Sequence, residues 1–99
     1  MMDRRALDFA DELERFALTI PAKYSDRSGY EAAIAELTRR LEAVGGTFAD
    51  GIHGYAIRAF GCRATSTSSP AGACRNWIVQ VRRKMATPIG RHLANNIGE

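Results

Sequence analysis

One apolar stripe constrains the fold of this 99-residue chain more than any other feature. Its members recur at spacings of four, three, four and three residues: Tyr30, Ile34, Leu37, Leu41 and Val44. This period is typical of an α-helix that buries one face in a protein core. Ser28 and Glu31 match the S-x-x-E capping box of a helix start, and Gly45-Gly46 favours a left-handed stop. The pattern therefore predicts a helix between Ser28 and Gly45.

A similar stripe lies nearer the N-terminus and comprises Phe9, Leu13, Phe16 and Ile20. It predicts a first helix from about Asp3 to Leu18. Pro21 ends that helix, because the proline ring clashes with the preceding turn. The polar segment at 22–27 is then a loop between two N-terminal helices.

The apolar period changes from helical to alternating after Gly46. Tyr55, Ile57 and Ala59 alternate with Ala56, Arg58 and Phe60, which is the pattern of a half-buried strand. Asp50-Gly51 is a tight-turn dipeptide after a short extended segment at 47–49. Gly61 marks a second turn, and Cys62–Ser66 is the returning strand. The sequence thus predicts a β-hairpin and leaves a third short strand open.

A third helix follows the hairpin. Ser68 or Ser69 is its predicted N-cap, and Pro70 suits the first turn, where its missing N–H costs nothing. Thr87-Pro88 is the predicted end. The inward stripe comprises Cys74, Trp77, Ile78, Val81 and Met85.

These elements predict an α+β fold, with two N-terminal helices and a C-terminal helix packed on a small antiparallel sheet. One compact domain over 1–88 is expected, followed by a flexible tail at 89–99. The predicted core comprises Tyr30, Ile34, Leu37, Leu41, Ile57, Trp77, Ile78 and Val81.

The two halves of the chain differ in charge. Residues 1–50 hold seven Lys/Arg and ten Asp/Glu, for a net charge of −3, whereas residues 51–99 hold seven Lys/Arg and only Glu99, for +6. Such segregation favours an anionic partner, because summed like charges build a surface potential. The alternative is that folding brings the acidic helices beside the basic half and neutralises it internally.

The basic half supplies the candidate anion-binding residues. A run of Ser and Thr at 65–69 precedes the third helix, and hydroxyls at a helix N-terminus can form an anion cradle. A helix cap joined to a solvated edge strand explains the same run. The full candidate set is Arg58, Arg63, Ser66, Ser68, Arg75, Arg82 and Arg83.

The sequence offers little for catalysis, metal or cofactor binding. Cys62 and Cys74 have neither C-x-x-C nor zinc-site spacing, and His53 has no acid or nucleophile near it in sequence. We therefore expect a non-enzymatic protein with no metal and no cofactor. The charged N-terminus lacks a signal-peptide pattern and no apolar run reaches membrane-span length, so a cytoplasmic protein without a membrane partner is expected.

The hairpin and last helix, YAIRAFGCRATSTSSPAGACRNWIVQVRRK, resemble the sheet-plus-helix arm-binding domains of phage integrases. That resemblance implies contact of Arg58 and Arg63 with DNA. In size and style the whole chain resembles the small accessory proteins of phages and prophages, among them the anti-CRISPR proteins. This second resemblance implies docking on a host complex, with Asp8, Asp11 and Glu12 of the first helix as a nucleic-acid mimic.

Two functional hypotheses follow. The first is a binding protein of phage or mobile-element origin that engages nucleic acid or a nucleoprotein complex through its basic half. The alternative is an anti-CRISPR-type inhibitor that docks on a host defence protein complex through its acidic first helix. A homodimer stays open in either case.

Overall fold

A computed structural model describes the backbone of residues 4–97 and the side chains of residues 4–85. Three helices and three strands follow one another as α1 (Arg4–Ala17), α2 (Arg27–Ala43), β1 (Thr47–Gly51), β2 (Gly54–Ala59), β3 (Cys62–Ser66) and α3 (Pro70–Ile97). The predicted α+β class is confirmed, and the strand left open is present as β1. Among the described residues, none of the helices is both long and apolar enough to cross a membrane.

The sheet is antiparallel, in the order β1-β2-β3, and each connection is a two-residue hairpin loop. Phe60 and Gly61 both have positive φ, at 52° and 75°, as the second hairpin turn requires. The turn predicted at Asp50-Gly51 is wrong. Gly51 still pairs with Gly54 in the ladder, so Ile52 and His53 form the loop.

Strand pairing gives the sheet two unlike faces. The inner face carries Ile57, Ala59, Cys62 and Ala64, all of which are buried beneath the helices. No residue of the opposite, outer face is buried. The outer face is formed by Thr47, Ala49, Gly51, Gly54, Ala56, Arg58, Arg63 and Thr65.

Trp77 of α3 lies at the centre of the core. Its side chain is fully buried, and the ring of Phe9 meets it edge-on with centroids 5.7 Å apart. The indole Nε1 donates to the backbone oxygens of Ala59 and Cys62, each at 3.3 Å. The predicted core is confirmed, although Ile34 is only partly buried at its margin. Burial of the indole on the hairpin therefore fixes α3 against the sheet.

The start of α2 differs from the predicted capping box. Asp26 is the N-cap, and its carboxylate accepts from the Gly29 backbone N–H at 2.9 Å. Ser28 lies inside the first turn, and Glu31 instead pairs with Arg27 at 3.2 Å. Asp26 supplies a suitable acceptor two residues earlier, so Ser28 is not needed as a cap. The glycine stop is confirmed, with Gly45 at φ 79° just after the Val44 C-cap.

The predicted start of α3 is confirmed, whereas its predicted end is wrong. Ser69 caps the helix, because its Oγ accepts from the Gly72 N–H at 2.9 Å. The predicted end at Thr87-Pro88 is wrong, since the backbone stays helical to Ile97. A proline inside a helix removes one backbone donor, which can bend a helix without ending it. The predicted flexible tail falls on residues 89–99. The side chains of these residues lie outside the part of the chain that the structure describes, and so do residues 98–99 altogether.

Candidate anion-binding surface

Arg58 and Arg63 lie directly opposite each other on the outer face of the sheet. Hydrogen-bonded and non-hydrogen-bonded pairs alternate along an antiparallel ladder, and the Ala59–Cys62 pair that closes the hairpin is hydrogen-bonded. The adjacent pair of Arg58 and Arg63 is therefore a non-hydrogen-bonded pair, with Cα atoms about 4.5 Å apart. Like charges in this position repel each other and destabilise a sheet. Within residues 4–85, no carboxylate lies at ion-pair distance from either guanidinium. The described part of the chain thus leaves two adjacent cations without an ion-pair partner.

A shallow concavity of about 520 Å³ occupies part of this outer face. Ala49 and Ala56 line its floor, Arg63 and Thr65 one side, and Ile52 of the hairpin loop its far end. The small floor residues leave the backbone of the central strand accessible. An extended ligand can therefore lie close to the sheet with its charges beside Arg63.

A second concavity of about 390 Å³ is lined by residues of β3 and α3. It shares Arg63 and Thr65 with the first concavity. Asn76 Nδ2 donates to the Thr65 backbone oxygen at 2.7 Å, and Gln80 Nε2 donates to that of Arg63 at 2.9 Å. These two amides occupy the outward carbonyls of the edge strand and so close that edge to further strands. Arg83 follows one turn later along α3 and borders the same concavity.

Sequence reasoning missed Asn76 and Gln80. Their signal is an i,i+4 pair of amide side chains beside the buried stripe of a helix that follows an edge strand. The spacing of these amides matches that of alternate carbonyls in the strand. The two amides along the helix are about 6 Å apart, and so are the two carbonyls along the strand.

Arg82 is also a predicted anion contact, and the structure places its guanidinium against two carboxylates of α1. Its guanidinium donates to Asp11 at 2.8 Å and to both carboxylate oxygens of Glu14, at 2.9 and 3.1 Å. The hydrogen bond from Arg82 lowers the pKa of Glu14, and the two carboxylates raise the pKa of Arg82. Here the acidic first helix neutralises one arginine of the basic half internally.

Ser66 and Ser68 bond to each other within the β3–α3 turn. Their hydroxyls lie 3.0 Å apart, and Ser66 Oγ also accepts from the Ser68 backbone N–H at 3.2 Å. Ser69 is used as the helix cap, while Thr65 and Ser66 lie in the edge strand β3. The Ser/Thr run therefore matches the interpretation as a cap joined to an edge strand better than that as an anion cradle.

Arg75 shares a concavity with Arg82 and not with Arg58, Arg63 or Arg83. It borders a separate groove between α1 and α3, together with Arg15, Leu18 and Val79. The outer face and the β3–α3 concavity therefore bring together Arg58, Arg63 and Arg83 only.

The predicted acidic mimic on α1 also has cations of its own. Asp8 lies 3.6 Å from Arg4, and Asp11 pairs with Arg82. Glu12 accepts from Arg40 at 2.8 Å. Each of these three carboxylates thus has an ion-pair partner within the fold.

The cysteines are buried and free of disulfide bonds. Burial raises the pKa of the Cys74 thiol to about 12, which keeps it protonated and unreactive at neutral pH. In the part of the chain that the structure describes, no three His, Cys, Asp or Glu side chains gather as metal ligands would.

The charged side chains fall into two groups, those neutralised within the fold and those left open. Asp11, Glu12 and Arg82 belong to the first group, and Arg58 and Arg63 to the second. Neither family models, nor curated proteins, nor solved structures yield a match to the chain. Function is therefore inferred from the placement of the chain's own side chains.

Proposed function

We propose that this protein is a non-enzymatic nucleic-acid-binding module that contacts phosphates with the outer face of its sheet. The observation that carries the proposal is the pair Arg58 and Arg63, which stand side by side with no carboxylate at ion-pair distance among the described residues. A phosphate placed between two such guanidiniums relieves their repulsion and accepts charge-assisted hydrogen bonds from both.

The remainder of the outer face suits a polyanion. None of its residues is acidic, so no carboxylate opposes an approaching phosphate. Ala49 and Ala56 occupy its middle, and side chains this small permit close contact with the sugar-phosphate backbone. Arg83 extends the basic strip onto α3 across the adjoining concavity.

The expected contacts set affinity and carry no sequence preference. Arginines directed at phosphates position a protein on its ligand without reading bases. The outer face also lacks aromatic rings on which unpaired bases could stack. Phe48 and Tyr55 stack on each other on the inner side, and Trp77 is buried.

The test is a titration of the full-length chain against labelled duplex DNA, single-stranded DNA and RNA at several salt concentrations. Binding should weaken steeply as salt rises, because phosphate contacts release condensed counterions. Arg27→Ala is a control, since Arg27 is an exposed arginine on α2 that pairs with Glu31 and is not part of the outer face. No binding at low salt to any of these ligands would overturn the proposal.

The alternative, a phage-type inhibitor that docks on a host complex through α1, receives less support. Its motivating carboxylates are held by Arg4, Arg40 and Arg82 and are therefore less available to a partner. Retention of naked nucleic acid separates the two hypotheses, because an inhibitor of that kind should ignore it.

A further inference from the structure

A second surface lies on the side of the molecule formed by α1 and α3. It is a groove of about 390 Å³ beyond the C-terminal end of α1. Its apolar lining comprises Ala17, Leu18, Ile78 and Val79. Leu18 is 85% exposed and Val79 50% exposed, so two large apolar side chains meet water in one place. Two exposed apolar side chains that line one groove form a small apolar patch, which a protein partner could cover.

The rim of the groove carries an excess of positive charge. Arg15, Arg75 and Arg82 border it, with Glu14 as the one carboxylate in its lining. Arg82 is already held by Glu14 and Asp11. Among the described residues, Arg15 and Arg75 have no carboxylate at ion-pair distance. An apolar floor thus lies beside two guanidiniums that have no ion-pair partner among the described residues, and Arg15 lies close enough to Glu14 to lower the pKa of that carboxyl.

We propose that this groove docks an acidic segment of a partner protein, with one large apolar side chain seated on Leu18 and Val79. Carboxylates on either side of that anchor would pair with Arg15 and Arg75. The charge complementarity selects this occupant. A second copy docked groove to groove would bring the same two arginines against each other and be repelled.

The apolar floor also argues against nucleic acid as the occupant. A phosphate backbone would use the arginines and leave Leu18 and Val79 exposed, whereas a protein anchor covers them. The groove shares Val79 with the β3–α3 concavity but is bordered by none of the outer-face residues. The proposal therefore stands whether or not the sheet binds nucleic acid.

A synthetic helical peptide with one Leu flanked by glutamates is a direct probe of the groove. Titrated into the ¹⁵N-labelled full-length chain, it should shift the amide resonances of residues 14–18 and 75–82. The Arg75→Glu and Val79→Asp variants should each weaken this binding by about tenfold. Arg27→Glu, an equal charge reversal on α2, should leave it unchanged, and dispersed spectra will show that every variant is folded.

Two control peptides separate this occupant from a simple charge effect. Replacing the Leu by Ala should abolish the shifts, and replacing the glutamates by lysines should do the same. The lysine peptide should in turn bind Arg75→Glu better than it binds the wild type. Equal binding of the Ala peptide, or of the lysine peptide to the wild type, would overturn the proposal.

Three further outcomes would each overturn the proposal that the groove docks an acidic segment. Self-association of the wild type that Leu18→Glu abolishes would assign the groove to a second copy. Displacement of the peptide by duplex DNA, with shifts of the same residues, would assign it to nucleic acid. Unchanged spectra at peptide concentrations up to about 1 mM, a weak-binding limit, would leave the groove without this function.

Discussion

Arg82 and the pair Arg58–Arg63 come from the same acid-poor half of the chain, yet the fold treats them differently. Arg82 faces α1 and is neutralised by Asp11 and Glu14. Arg58 and Arg63 lie on the outer face of the sheet and have no carboxylate at ion-pair distance among the described residues. The comparison shows that a charge imbalance along a sequence becomes a surface property only where packing leaves it without a partner.

The largest expected effect tests whether the inner face of the sheet is closed by the helices. Trp77→Ala should lower the free energy of unfolding by about 3–5 kcal/mol, because it opens a cavity in the core. The carbonyls of Ala59 and Cys62 would also lose their donor. Urea unfolding measures the change. Ala56→Ser on the outer face is the control and should change stability by less than about 0.5 kcal/mol.

The two faces of the sheet could be told apart from the sequence because alternation is a local pattern. The alternation separates Ile57 and Ala59 from Arg58, and the ladder confirms that they lie on opposite faces of the sheet. The first turn was misplaced because Asp50-Gly51 has the composition of a tight turn. Pairing of Gly51 with Gly54 moves the loop to two residues of weaker turn preference.

The partners of the arginines could not be predicted in the same way. Arg82 lies 71 residues from Asp11, and their contact depends on how α3 crosses α1. No local period encodes that crossing. The amides of Asn76 and Gln80 were missed for the same reason, since their acceptors lie on another element.

The next effect concerns binding. Arg58→Ala and Arg63→Ala should each weaken nucleic-acid binding several-fold at low salt, while Arg82→Ala should leave it within about twofold of the wild type. The two outer-face variants should be at least as stable as the wild type, because each removes a repulsive neighbour. Fluorescence anisotropy with labelled DNA and thermal unfolding measure the two quantities. An equal loss of affinity in Arg82→Ala would contradict the distinction between the neutralised Arg82 and the two outer-face arginines.

The stability of the protein at alkaline pH tests whether the side chains of Cys74 and Tyr30 are buried. The pKa of Cys74 is raised to about 12 by burial, and that of Tyr30 to about 12 by burial and then by its hydrogen bond with Tyr55. Both groups favour the folded state while protonated. Their contribution is complete below the ordinary values of 9 and 10 and is lost as pH rises through about 12.

Stability of the wild type should therefore fall between pH 9 and 12, and Tyr30→Phe should flatten the part of that fall above pH 10. Chemical unfolding at several pH values measures it. An identical pH profile in Tyr30→Phe would show that the phenol of Tyr30 does not contribute to it.

The smallest effect is that of the α1–α3 ion pairs. Arg82→Ala should lower stability only slightly, because its partners are exposed and exposed pairs are weak. The lowered pKa of Glu14 gives the sign of the pH dependence. The difference from the wild type should be present above the ordinary carboxyl pKa of 4.5 and vanish as pH falls through the lowered value. A difference that persists in acid would assign the loss to packing of the arginine stem.

The salt dependence of nucleic-acid binding tests the central claim most directly. The logarithm of the binding constant falls with the logarithm of salt concentration, at a slope of about 0.9 for each phosphate neutralised on duplex DNA. The Arg58→Ala/Arg63→Ala double variant should reduce this slope by about two relative to the wild type, whereas Arg82→Ala should leave it unchanged. An unchanged slope in the double variant, or no binding by the wild type at low salt, would contradict the account.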